Sequence, residues 1–446
     1  LLAGAGARRL RPRVERHLRI ALPLAQSVTH NLQAIERVNV QSVIDRWAGE
    51  SNPPVEPIGY SATGYVGHDR LVQYLNTNEL IQGPVERAQF ETGPQQTLDC
   101  VQRGLYFFRR QETPVVIAFR SDQFTRAGVI EVIAATRAAA QVTLSTLLNE
   151  AQRESVYRGR TLSLEQASSP FEERVGIRFH EVRPTRREDI VLPDDLIRVV
   201  ERNVLGMLKH AEVLRRAGQS LRRGLLFHGP PGTGKTMMVR YVTQACPDHT
   251  VILLTGNHLG LVRDSCQVAR MLAPSIVVLE DVDLVAEERE HNRFPTILHE
   301  LLNEMDGIAL RDQVMFLLTT NRPEILEKAL AARPGRVDQA VAFPLPDESC
   351  RRRLFELYGR GMDLSALDLP RWLGQTAGVS PAFIEELLRK AALMAAERGE
   401  STSPLRLSDV DVQDAIRELV CFGGELTQKL LGYGRGRFGF QATGEL

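Results

Sequence analysis

Gly229-Pro230-Pro231-Gly232-Thr233-Gly234-Lys235-Thr236 satisfies the pattern G-x-x-x-x-G-K-[ST] at every position. It stands between the apolar run Leu225-Leu226-Phe227 and a segment opening Met237-Met238-Val239, so the order reads strand, glycine-rich turn, helix. That context makes it a phosphate-binding loop. The glycines let successive backbone N–H groups turn inward toward phosphate oxygens, Lys235 adds a cation for the β- and γ-phosphates, and Thr236 offers a hydroxyl to Mg²⁺. A plain Gly/Pro turn before a helix accounts for the glycines but not for the Lys-Thr pair.

On either side of this loop, from about residue 184, apolar runs alternate with helix-like segments. The expected strands are Gly224 to His228, Val251 to Thr255, Ser275 to Leu279, Val314 to Thr319 and Ala340 to Phe343. Several are almost wholly apolar, as strands covered on both faces must be, which predicts an α/β core with a parallel sheet and helices on both sides over 184–346. After Pro344-Leu345-Pro346 the pattern turns helical, with Ser349 to Gly359, Pro381 to Glu397 and a capping-box variant at Ser408 and Asp411, which predicts a helical lid over 347–420 and a tail over 421–446.

Ahead of the core, the apolar spacing of residues 1–50 predicts a helical segment, broken at Asn52-Pro53-Pro54. Residues 56–180 read as an α+β accessory domain. Its expected strands are Gly104 to Phe108 and Pro114 to Phe119, joined by a polar loop at Arg109 to Thr113; a helix is expected from Ile130 through Glu150, then a strand from Tyr157 to Leu164.

Lys+Arg and Asp+Glu both number 55, so no global field favours a nucleic acid or a membrane. Only five of the basic residues are Lys, and one of these is Lys235. The five cysteines are odd in number and widely spaced, which argues against a disulfide framework or a zinc site. No apolar run approaches the roughly 18–20 residues that span a bilayer, and a cytoplasmic protein is expected. Arg8, Arg9, Arg11, Arg13, Arg16 and Arg19 crowd the first twenty residues, a pattern shared by a transit peptide, a nucleic-acid arm and the solvated face of an N-terminal helix.

A second element of the site is Ile276-Val277-Val278-Leu279-Glu280-Asp281, an apolar strand ending in two acids. Parallel strands present their carboxyl ends on the side where a phosphate loop lies, so these carboxylates can face a metal ion and the γ-phosphate. Further motifs follow in order: Leu301-Leu302-Asn303-Glu304-Met305-Asp306-Gly307, then Leu318-Thr319-Thr320-Asn321-Arg322-Pro323, then Ala332-Arg333-Pro334-Gly335-Arg336-Val337-Asp338.

Together with the loop, these resemble the AAA-type ATPase family of the AAA+ superfamily over about 184–420. The resemblance implies a P-loop NTPase fold that takes ATP and Mg²⁺ between Lys235, Thr236 and the acids. By position, Glu280 supports the metal with Thr236, Asp281 activates the attacking water and Asn321 orients it as sensor 1. Arg333 and Arg336 would be fingers reaching a neighbour's site, which requires a head-to-tail ring, a hexamer in the family.

Three features depart from that family. The usual Asp-Glu order is reversed to Glu280-Asp281, as it is in the mitochondrial AAA translocase of the Rieske protein, and this shortens the base by one methylene. The stretch Gly256 to Pro274 has 19 residues and no aromatic, where threading members carry an aromatic grip. Asp189-Ile190-Val191-Leu192 stands where Asp-Ile-Gly-Gly usually lies near adenine. His299-Glu300-Leu301-Leu302-Asn303 lacks the second His of a zinc-protease helix, so no fused metalloprotease is indicated.

The expectation is an ATP-hydrolysing ring that remodels or translocates a macromolecular substrate chosen through 56–180. Two alternatives stay open. One is a nucleotide-gated scaffold or switch with slow hydrolysis. The other is a nucleic-acid-associated ATPase using the Arg-rich start and the tail Tyr433-Gly434-Arg435-Gly436-Arg437-Phe438.

Overall fold

The computed structural model describes residues 8–62, 70–110, 112–121, 128–166, 175–221, 223–255, 260–283, 300–301, 303–305, 313–324, 337–401 and 403–422. The chain forms two compact units, Leu1–Glu181 and Val182–Leu446.

The first unit is built on an antiparallel sheet. Its strands β1 (Gln26–Leu32), β4 (Glu86–Gly93), β5 (Gln96–Arg110), β6 (Thr113–Ser121) and β7 (Gly128–Ala134) lie in the order β1-β7-β6-β5-β4, beside a pair formed by β2 (Gly59–Ala62) and β3 (Leu80–Gly83). Alternate residues of the central strands enter different cores. Tyr106, Phe108, Val115, Ile117, Phe119, Ile130 and Val132 pack under α2 (Ala34–Glu50) and α4 (Arg137–Arg153). Leu105, Val116, Ala118 and Ile133 pack with α1 (Arg11–Leu18) and α3 (Leu71–Asn76). With both faces covered, β7 is buried at every position.

This unit corrects four local expectations. Residues 26–32 are a strand rather than part of a helix, because α1 already ends at Leu18, with Arg19 left-handed at φ 57°, and Ser27-Val28-Thr29 pairs with Ile133-Val132-Glu131. The segment from Ile130 begins as the strand β7, not as helix. A doubly covered strand is continuously apolar and so imitates a buried helix; helix α4 starts only after Thr136, whose side chain accepts from the Ala139 N–H. The third concerns Tyr157 to Arg160, which form a turn with Gly159 at φ 65°, so the strand β8 is Thr161–Gln166, paired with β9 (Val175–Phe179). The Arg109 to Thr113 loop is likewise tighter than expected, since Arg109, Arg110 and Thr113 belong to β5 and β6.

In the second unit, helices α5 (Asp194–Glu201), α6 (Met207–Lys209) and α7 (Ala211–Arg216) precede strands β10 (Arg223–His228), β11 (Thr250–Leu254), β12 (Ser275–Leu279), β13 (Val314–Thr320) and β14 (Gln339–Ala342). These five run in the order β14-β10-β13-β12-β11, with every neighbouring pair parallel. Helices α8 (Lys235–Gln244) and α9 (Val262–Met271) connect consecutive strands. The order matters for the site. Strand β10 is flanked by β13 rather than by its sequence neighbour, with His228 opposite Thr320, and β12 pairs on β13 with Leu279 opposite Leu318. The segments leaving β10, β12 and β13 therefore emerge together at the carboxyl end of the sheet.

The region expected to form the lid contains α10 (Glu348–Tyr358), α11 (Leu369–Gln375), α12 (Pro381–Glu397) and α13 (Asp409–Arg417), packed around Trp372, Phe355 and Phe383. Asp347 and Ser380 cap α10 and α12, and Ser408 with Asp411 forms the expected box at α13. No helix among the described residues is long and apolar enough to cross a membrane. No group of three or more His, Cys, Asp or Glu residues placed to hold a metal occurs among them either.

Candidate active site

The loop between β10 and α8 is shaped by close backbone contact. Gly229 has φ 148°, and a Cβ there would meet the Phe343 carbonyl oxygen at 2.3 Å. Gly232 has φ 71° and faces the lid: a Cβ would stand 2.9 Å from the Ala382 Cβ and 3.0 Å from the Ser380 Oγ. The Ala382 N–H also donates to the Gly232 carbonyl at 3.3 Å, so the start of α12 touches the loop directly. Helix α8 begins without a side-chain cap, and its first N–H groups point into the same space.

Lys235 belongs to the stripe of α8 that turns inward with Met238, Val239 and Val242, which explains its burial at 6% exposure. Its Nζ donates to the carbonyls of Gly229 at 2.9 Å and Pro230 at 2.8 Å. Burial pulls its pKa down to about 8, against the attraction of Asp281 and Asp283. The Thr233 hydroxyl donates to the Pro230 carbonyl at 2.8 Å and tightens the turn.

Glu280 follows β12, and the Thr236 hydroxyl lies close enough to its carboxyl to favour the charged form. Burial raises its pKa, the Thr236 contact opposes this, Asp281 adds to the rise and Arg240 offsets it. The two residues assigned to a metal ion are thus neighbours before any ion is considered. Asp281 has φ 51°, a left-handed conformation that costs a non-glycine residue on the order of 1 kcal/mol. Its N–H donates to the Thr319 Oγ1 at 3.0 Å, and its Oδ1 accepts from the Asn321 Nδ2 at 3.0 Å. Asn321, one residue beyond β13, is therefore held against the acid it was expected to accompany.

Sequence reading passed over Asp283, Thr319 and Thr320. Asp283 is 6% exposed, and its Oδ1 accepts from the Thr320 Oγ1 at 2.9 Å and the Asn321 N–H at 3.1 Å. The available signal was an acid two residues past Asp281 together with a Thr pair just before Asn321. Arg333, Arg336, residues 256–259, His299 and the tail from 423 lie outside the described residues. The Asp189 segment has a packing reason for lacking glycines: Ile190 and Leu192 belong to the core under the sheet, while Val191 belongs to the lid core. Asp189 itself accepts from the Arg360 guanidinium at 3.1 Å.

Residues 225–345 match the family model AAA, described as ATPase family associated with various cellular activities. Over 224 residues the chain is 35% identical to the ATP-dependent zinc metalloprotease FtsH 1 of Sphaerobacter thermophilus, covering 47% of this chain and 33% of that relative. It is 34% identical over 224 residues to the proteasome-activating nucleotidase of Methanopyrus kandleri, covering 47% of this chain and 51% of that one. The chain thus spans about a third to a half of the length of these curated relatives. The α/β core of the second unit is an AAA-type P-loop domain.

Proposed function

We propose that this protein binds and hydrolyses ATP and uses the cycle to remodel or translocate a macromolecular substrate. One observation carries the reading: Lys235 and Thr236 open α8 at the carboxyl end of the sheet, where Glu280, Asp281 and Asn321 leave β12 and β13. The loop supplies a backbone cradle, a buried cation and a hydroxyl, which fits a nucleoside triphosphate. Thr236 and Glu280 would hold Mg²⁺, which supplies positive charge against the β- and γ-phosphates.

Lys235 must exchange its two carbonyl partners for phosphate oxygens when nucleotide enters. Asp281 is the base that takes a proton from the attacking water, and the Asn321 amide, bonded to Asp281, fixes where that water sits. The contact between α12 and Gly232 gives the lid a direct connection to the phosphate loop. Arg333 and Arg336 are assigned as fingers of a neighbouring subunit in a closed six-membered arrangement by analogy with the family, and residues 56–180 as the substrate-selecting region.

Asp281→Asn tests the reading. ATP binding is expected to persist while turnover falls by about 100-fold or more; undiminished turnover would remove Asp281 from the mechanism. A second reading, a nucleotide-gated scaffold with slow hydrolysis, draws on the 19-residue stretch from Gly256 to Pro274, which has no aromatic, and on the reversed acids. Turnover unaffected by any polypeptide, with ATP-dependent assembly by light scattering, favours the scaffold; polypeptide-stimulated turnover favours the remodeller.

A further inference from the structure

We propose that Asp283 is a positioning residue for hydrolysis, acting through Asn321 on the water-activating acid; this rests on the ATPase reading above. Asp283 lies beyond β12 and is almost wholly buried; its charge attracts Lys235, but its hydrogen bonds run to the end of β13. A buried carboxylate is costly unless its oxygens are used. Here one oxygen receives two donors from the end of β13, the Thr320 hydroxyl and the Asn321 backbone N–H.

The second of these bonds sets the geometry. Asn321 is the residue whose amide holds Asp281, so its backbone is gripped by Asp283 while its side chain grips Asp281. Asp281 in turn sits at φ 51°, and its own N–H is taken by Thr319. The segment after β12 and the end of β13 are therefore laced by four hydrogen bonds: Asp281 N–H to Thr319, Thr320 hydroxyl to Asp283, Asn321 N–H to Asp283, and Asn321 amide to Asp281. The Thr320 Oγ1 also accepts from the Arg322 N–H at 3.0 Å, which fixes the hydroxyl that donates to Asp283. Without Asp283 the Asn321 backbone has no anchor on the acidic side, and the amide no longer determines where Asp281 points. A base displaced by about an ångström can lose two orders of magnitude in rate.

The test is a double-mutant cycle between Asp283→Ala and Asn321→Ala, read by single-turnover ATP hydrolysis and, separately, by equilibrium ATP affinity. Asp283→Ala is expected to lower the hydrolysis rate by about 10- to 100-fold and to leave affinity within about threefold. In the Asn321→Ala background the same substitution is expected to cost less than about threefold, because its route to the base is already gone. Asp283→Asn retains an acceptor oxygen and is expected to recover most of the rate. Additive losses, or a loss of affinity equal to the loss of rate, would overturn the assignment and leave Asp283 as part of the frame. If Asp283→Ala does not fold, Thr320→Val takes its place in the cycle, with non-additivity expected and additivity again fatal. Failure of wild-type protein to hydrolyse ATP under any condition would instead sink the ATPase reading itself.

Discussion

Strands β7 and β13 look alike and do different things. Each has seven residues, each is buried at every position, and each carries polar groups inside that burial. In β7 the polar group is Glu131, in mid-strand, whose carboxylate accepts from the Leu71 N–H at 2.6 Å and the Val72 N–H at 3.4 Å and so holds the start of α3 on the sheet. In β13 the polar groups are Thr319 and Thr320 at the carboxyl end, and they hold Asp281 and Asp283. A polar group in the middle of a covered strand can reach only the layer packed on it, whereas one at the end of a parallel strand meets the loops that carry chemistry. Burial of a polar residue is thus ambiguous until its place along the strand is known.

Substitutions in the loop and in each strand separate these roles. The largest effect expected is at the mouth of the site: Lys235→Ala should weaken ATP binding by more than about 100-fold, measured with a fluorescent nucleotide, since the phosphates lose their one buried cation from the loop. The same change should raise rather than lower the melting temperature of the nucleotide-free protein, because it removes a charge that burial disfavours. Unaltered affinity would disconnect the loop from nucleotide.

Glu131→Leu should cost the first unit about 2–4 kcal/mol in denaturant unfolding, since two buried N–H groups of α3 lose their acceptor. ATP affinity should not change, and a parallel loss of affinity would contradict the assignment of Glu131 to packing alone. Thr319→Val makes the complementary test in β13. It removes the acceptor of the Asp281 N–H and should slow turnover about tenfold while costing only about 1 kcal/mol of stability. A stability loss with normal turnover would make the two strands equivalent after all.

The smallest effect expected is a pH dependence at Lys235. Burial holds this lysine at about 8 instead of its ordinary 10.5, so the folded, nucleotide-free protein sheds the proton in a window where the unfolded chain keeps it. Stability from this group therefore rises as pH climbs from about 8 toward 10.5. Phosphate restores the charge, so nucleotide binding should take up a proton above pH 8, and affinity should fall by up to about tenfold per pH unit. Titration calorimetry in buffers of different ionisation enthalpy at pH 8.5 reads that uptake directly; no uptake would mean the lysine is already charged in the free protein.

Much of the second unit was legible because its signals are local. The five strands of its core were placed to within about one residue, and the caps at Ser380 and Ser408 sit where short polar side chains precede periodic apolar runs. The first unit was less legible because a doubly covered strand carries no alternation. Nothing in Val129-Ile130-Glu131-Val132-Ile133 distinguishes it from the buried side of a helix until two separate cores are seen to claim its alternate residues. The departure at Val191-Leu192 was readable as a missing Gly-Gly, but not as a bridge between two cores.

A phosphate loop, two acids and an asparagine, in that order on a chain of alternating strands and helices, are legible from residue types and spacings alone, because none of them needs a distant partner to be recognised. That β13 lies between β10 and β12, and that Asp283 and the Thr319-Thr320 pair tie the acids to Asn321, follows from the three-dimensional packing alone. Those contacts join residues about 40 positions apart, and a hydrogen bond of that kind is fixed by sheet order and register, which no local pattern encodes.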